Sequence, residues 1–97
     1  MSTFFVSRHP GALQWMRQNH IAFDHHVPHL EIEHIRQGDT VIGSLPVNLA
    51  AEVCARGATY RHLSLKITAS DRGRELSAAE LERYEATLTS YVITESP

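Results

Sequence analysis

Two short runs of apolar, β-favouring residues constrain this chain more than anything else in it: Thr3-Phe4-Phe5-Val6-Ser7 and Thr40-Val41-Ile42-Gly43-Ser44. Neither alternates with polar residues, so each reads as a strand covered on both faces, the mark of a parallel sheet flanked by helices. A proline follows each run within three residues, and apolar residues at helical spacing come next. After Pro10-Gly11, the residues Ala12, Leu13, Trp15 and Met16 make one helix face that ends near Asn19. After Leu45-Pro46, the residues Val47, Ala50, Ala51 and Cys54 make another, with Gly57 as its stop. Pro46 suits the first helical position, where its missing N–H costs nothing.

The remaining elements are fainter. Ile21 to Val27 reads as a weaker strand closed by Pro28, and Leu30, Ile32 and Ile35 allow one helical turn before Gly38-Asp39. Tyr60 to Leu65 reads as a strand. A polar loop from about Thr68 to Leu76 leads to Ser77-Ala78-Ala79-Glu80, a capping box that opens a last helix. Leu81, Tyr84, Leu88 and Tyr91 form one stripe along that expected helix. The alternation predicts a small Rossmann-like α/β domain over residues 1–97, with a mainly parallel sheet of about four strands flanked by helices. With the first strand central, the first and third strands are neighbours at a topological switch point, where open α/β sheets bind ligands.

Composition narrows the function classes. At 97 residues the chain is one domain with a marginal core, which a second subunit would reinforce. Hydrophobic residues at 42% and charged residues at 21% exclude a disordered chain or a coiled coil. The formal net charge of −2, brought nearer zero by seven histidines, excludes a uniformly basic coat for long nucleic acid. The single cysteine, Cys54, rules out a disulfide framework. No apolar run is long enough for a membrane, and the N-terminus lacks the pattern of a signal peptide. A soluble, cytoplasmic protein is expected.

The chemistry-bearing residues gather at the ends of the two strong strands. Ser7-Arg8-His9-Pro10-Gly11 follows the first, and Gly43-Ser44-Leu45-Pro46 follows the third. Both turns are expected to open onto one crevice, each leading into a helix whose N-terminus offers free N–H groups and partial positive charge. That combination suits an anion, above all a phosphate. Gly11 and Gly43 would let a ligand approach the backbone closely, and Asn48 could reach a base or sugar. The plainer alternative is that Ser7 and Ser44 cap helices and Arg8 pairs with a surface carboxylate.

Charge is also segregated along the chain. Arg56, Arg61, Lys66, Arg72 and Arg74 face a single Asp71 in one stretch, and five glutamates then follow with Arg83 alone. Asp71-Arg72-Gly73-Arg74 could fold over the crevice, its arginines suited to bidentate phosphate contacts, or could pair with the acidic last helix. The histidines His20, His25, His26, His29 and His34 are loosely spaced for a metal, and Asp24-His25-His26 matches a phosphoesterase tripeptide that chance also supplies. Cys54 reads as a small core residue, and Trp15, Tyr84 and Tyr91 as core or subunit contacts.

The blocks Phe5-Val6-Ser7-Arg8-His9-Pro10-Gly11-Ala12, Gly38 to Cys54 and Arg72-Gly73-Arg74-Glu75-Leu76-Ser77 together resemble a family of small accessory proteins found beside type III CRISPR loci and implicated as ring nucleases. The likeness covers nearly the whole chain, and the middle block is the most specific. It implies binding of cyclic tetra-adenylate and opening of its ring, which switches off an antiviral signal. It implies no cofactor and no metal, since a ribose 2′-hydroxyl can attack the adjacent phosphorus. In that reading Arg8 stabilises charge, with Ser7 and the helix starts assisting, and His9 acts as base or acid. Gly11, Gly43, Ser44, Leu45, Pro46 and Asn48 contact the ligand, and Lys66, Arg72 and Arg74 clamp it. The ring's two-fold symmetry suits a homodimer. A non-catalytic protein that sequesters the messenger, a metal-dependent phosphoesterase and a ligand-free structural partner stay open as alternatives.

Overall fold

A computed structural model describes residues 1–66 and 75–97. Within them the chain forms β1 (Thr3–Val6), α1 (Pro10–Gln18), β2 (His25–Val27), a 3₁₀ turn (Ile32–His34), β3 (Thr40–Gly43), α2 (Val47–Ala55), β4 (Thr59–Ser64), α3 (Ala78–Arg83) and β5 (Thr87–Tyr91). The sheet order is β2-β1-β3-β4-β5. The first four of these strands run parallel, and β5 closes the far edge antiparallel to β4. This is a Rossmann-like α/β arrangement with β1 inside the sheet, so the chain reverses direction between β1 and β3.

The continuous apolar runs follow from burial on both faces. Phe5 and Ile42 pack with Ala12, Trp15 and Met16 of α1 and with Ala78 and Leu81 of α3. Val41 and Tyr60 pack on the other face with Ala50 and Val53 of α2 and with Ile35 beside the 3₁₀ turn. Neighbouring residues along one strand thus serve opposite layers. Register matters for the site: Val27, Val6, Gly43 and His62 form one row across β2, β1, β3 and β4. The chain therefore leaves β2, β1 and β3 at the same level.

Three expectations need correction. The last helix ends at Arg83, with the Ser77–Glu80 capping box present, and the segment expected to continue it forms β5. Glu85, at φ 56°, turns the chain back. The open edge of β4 then captures Thr87–Tyr91, a β-favouring run, so the sheet has five strands. The weak second strand shrinks to His25–Val27, because Ile21 and Phe23 pack into the core from the preceding loop. Pro46 sits one residue ahead of α2 as its N-cap, and Pro10 is the proline that occupies a first helical position.

Candidate functional site

At the shared level where β1, β2 and β3 end lies a crevice of about 580 Å³. Ser7, Arg8 and His9 line it from the exit of β1, and Gly43, Ser44, Leu45 and Pro46 from the exit of β3. The two turns singled out in the sequence thus meet at the switch point. A third wall comes from the exit of β2, through Pro28, His29 and Leu30. The apolar part of the lining includes Leu49, Leu63, Leu65, Leu76 and Leu81. A lining that combines charged and polar groups with several leucines suits a ligand with anionic and flat apolar parts, such as a nucleotide.

Local hydrogen bonds set the two turns. The Ser7 hydroxyl accepts from the His9 N–H at 3.1 Å, and the Ser7 carbonyl accepts from His26 Nε2 at 3.0 Å. The Ser7 N–H donates to the Val27 carbonyl at 3.0 Å, which carries the β1–β2 ladder one residue further and ties the two exits together. On the other side, Ser44 Oγ donates to the Leu63 carbonyl at 3.1 Å. Neither serine caps a helix. The starts of α1 and α2 have no side-chain cap and no acidic residue in the first turn, so their partial positive charge is not offset there.

The β3 turn rests on a residue that the sequence reading passed over. Tyr60 is 1% exposed, and its hydroxyl accepts from the Leu45 N–H at 2.9 Å. The same oxygen lies 2.6 Å from His62 Nδ1 and 3.2 Å from the Gly43 carbonyl, and its one proton serves one of these acceptors. Burial pushes the Tyr60 phenol above its ordinary value, so it stays protonated. A tyrosine in an otherwise apolar β4 position was the available signal.

Arg8 is exposed, and no described carboxylate lies within ion-pair distance of it. His9 Nδ1 lies 3.6 Å from Glu75 Oε1, with both side chains largely in solvent. Several other expected contacts fall elsewhere. Gly11 does not line the crevice; a Cβ there would collide with the Leu76 carbonyl, so the glycine lets α1 approach the segment leading into α3. Gly43 does line it, and its missing side chain also makes room for Val6, whose carbonyl would be 2.8 Å from a Cβ. Asn48 is exposed on the first turn of α2, outside the lining. Lys66 does not line the crevice; its Nζ lies 2.8 Å from Glu85 Oε2, and this pairing raises the ammonium's pKa and lowers the carboxyl's. Arg72 and Arg74 lie outside the described residues.

The histidine-rich segment does not converge. His25 stacks on Phe4 with centroids 4.7 Å apart and His26 on Phe5 at 5.3 Å. Among the described residues no three His, Cys, Asp or Glu side chains gather as a metal site. Cys54 is half-buried, and its sulfur accepts from the Ile93 N–H at 3.5 Å, docking the C-terminal segment on α2. Among the described residues no helix is long and apolar enough to cross a membrane.

Fold and crevice together define a small Rossmann-like α/β protein with an open crevice at its switch point, lined in part by Ser7, Arg8, His9 and Ser44. The family model described as "Putative CRISPR-associated protein (Cas_VVA1548)" matches residues 4–94, and the chain belongs to that family. Comparison with curated proteins and with solved structures gives no match.

Proposed function

We propose that this CRISPR-associated protein is a ring nuclease that binds cyclic tetra-adenylate and linearises it without a metal. The observation that carries the reading is the meeting of the β1 and β3 turns in one crevice, with an arginine that has no described carboxylate partner, a histidine and two helix starts without side-chain caps. A ribose 2′-hydroxyl attacks the adjacent phosphorus, the P–O5′ bond breaks, and the product is a linear oligoadenylate ending in a 2′,3′-cyclic phosphate. The protein's share of the work is to hold attacking oxygen, phosphorus and leaving oxygen in line and to stabilise the added negative charge. Arg8 supplies that charge, helped by the partial positive charge at the start of α1, and the apolar part of the lining takes an adenine.

A crevice of about 580 Å³ is sized for a drug-like ligand, one or two nucleotides of a four-nucleotide ring. Two protomers related by a two-fold axis would divide the ring between them. Incubation of excess protein with cyclic tetra-adenylate in EDTA, followed by chromatography, tests the proposal. A linear product with a 2′,3′-cyclic phosphate is expected. Intact ligand released on denaturation would make the protein a sequestering binder, and activity only on adding manganese or zinc would make it a metal-dependent phosphoesterase.

A further inference from the structure

We infer that His29 is the general acid of the ring-opening step, working across the crevice from His9; the inference rests on the ring-nuclease reading above. The reaction moves two protons. One leaves the 2′-oxygen as the O2′–P bond forms, and another must reach the 5′-oxygen as the P–O5′ bond breaks, because an alkoxide is a poor leaving group. In an in-line displacement these two oxygens stand on opposite sides of phosphorus. Two proton-transfer groups are therefore needed, on different walls of the site.

The described lining holds three side chains with ionisable nitrogen: Arg8, His9 and His29. Arginine keeps its proton and can only stabilise charge. Imidazole is the side chain suited to exchanging protons near neutrality. The two imidazoles come from different strand exits, His9 from β1 and His29 from β2, whose last residues Val6 and Val27 are register partners. The β3 exit adds no titratable group to the lining, so the wall formed by β2 is the one that can complete the pair.

Their surroundings divide the roles. Glu75 lies 3.6 Å from His9 and would stabilise the imidazolium formed when His9 accepts a proton, whereas no described carboxylate lies within ion-pair distance of His29. His9 then takes the proton of the 2′-hydroxyl, and protonated His29 gives one to the 5′-oxygen. Solvent restores both histidines after release of the 2′,3′-cyclic phosphate and 5′-hydroxyl ends.

The test compares cyclic tetra-adenylate with an analogue in which sulfur replaces the bridging 5′-oxygen of one linkage, since a thiolate leaves without being protonated. On the native ring His29→Ala and His29→Gln should be slower by roughly 10²- to 10⁴-fold, the usual range for a general acid. On the sulfur-bridged linkage both should come within a few-fold of wild type, while His9→Ala stays slow on both. His29 is exposed, so the melting temperature should hold. Native-ring cleavage at the wild-type rate by His29→Gln, or an equal loss on both ligands, overturns the assignment. A wild-type protein that cleaves neither ligand overturns the ring-nuclease reading itself.

Discussion

The two ends of the sheet are built from the same strands and treated oppositely. At the end where β1 and β3 begin, polar groups are tied to one another. Asp39 is 6% exposed and accepts from the backbone N–H groups of Ser2 and Arg36 at 2.9 Å each. Its own backbone carbonyl accepts from Thr59, and Asp24 accepts from the Thr3 N–H at 2.7 Å. At the end where β1, β2 and β3 finish, Arg8 and His29 stand exposed with no described carboxylate beside them, and both helix starts are uncapped. The first end ties its buried carboxylate to backbone donors, whereas the second leaves Arg8 and His29 without a described carboxylate partner. A parallel sheet makes that division natural, because every strand presents the same terminus at the same end.

The contrast breaks most easily at Arg8. Arg8→Ala should cut ring cleavage by about 10²-fold or more, the usual scale for losing a charge that stabilises a transition state. The melting temperature should stay where it was, because the side chain makes no described ion pair to lose. A single-turnover assay beside a thermal melt checks both halves. Unchanged cleavage would remove the β1 turn from the chemistry.

Asp39→Ala should do the reverse. Removing the buried carboxylate leaves two part-buried N–H donors without their acceptor, which costs about 2 kcal/mol and lowers the melting temperature by on the order of 10 °C in a domain this size. Cleavage well below the melting point should be unaffected. The pH dependence follows from the same bonds: the N–H donors of Ser2 and Arg36 hold the Asp39 carboxyl below its ordinary 3.8. A carboxyl depressed in the folded state stabilises fully above its unfolded pKa, and that contribution is lost as pH falls through the folded value. Wild-type melting temperature should therefore drop below pH 3.8 by more than that of Asp39→Ala over the same interval.

How much of this the sequence disclosed depended on how local each cause was. The runs at β1 and β3 were legible because burial on both faces leaves an unbroken apolar string, and the crevice followed from their neighbouring positions. The second half of the expected last helix was misleading for the opposite reason. Leu81, Tyr84, Leu88 and Tyr91 do fit a helical stripe, but what decides Thr87–Tyr91 is the unpaired edge of β4, more than twenty residues away. Gly11 was read as room for a ligand, whereas the room is taken by the backbone of Leu76 and Ser77. His29 was invisible as a wall of the site because β2 is three residues long and its exit is placed by pairing with β1. Within its own stretch it was one histidine of several.

Lys66 offers the smallest effect and the sharpest use of the comparison. It follows β4 at the same end of the sheet as the crevice, so position alone would make it a phosphate clamp. Its ammonium, however, is already held 2.8 Å from the Glu85 carboxylate, and both side chains are mostly in solvent, 80% and 64% exposed. An exposed pair of this kind contributes little to stability and offers little net charge to a distant anion. Lys66→Ala should leave cyclic tetra-adenylate affinity within about twofold of wild type at physiological salt, with no resolvable change in melting temperature. Isothermal titration against Arg8→Ala makes the comparison direct. A loss at Lys66 as large as that at Arg8 would mean the ion pair opens to reach the ligand, and that standing at the crevice end, paired or not, is enough to recruit a cation to the site.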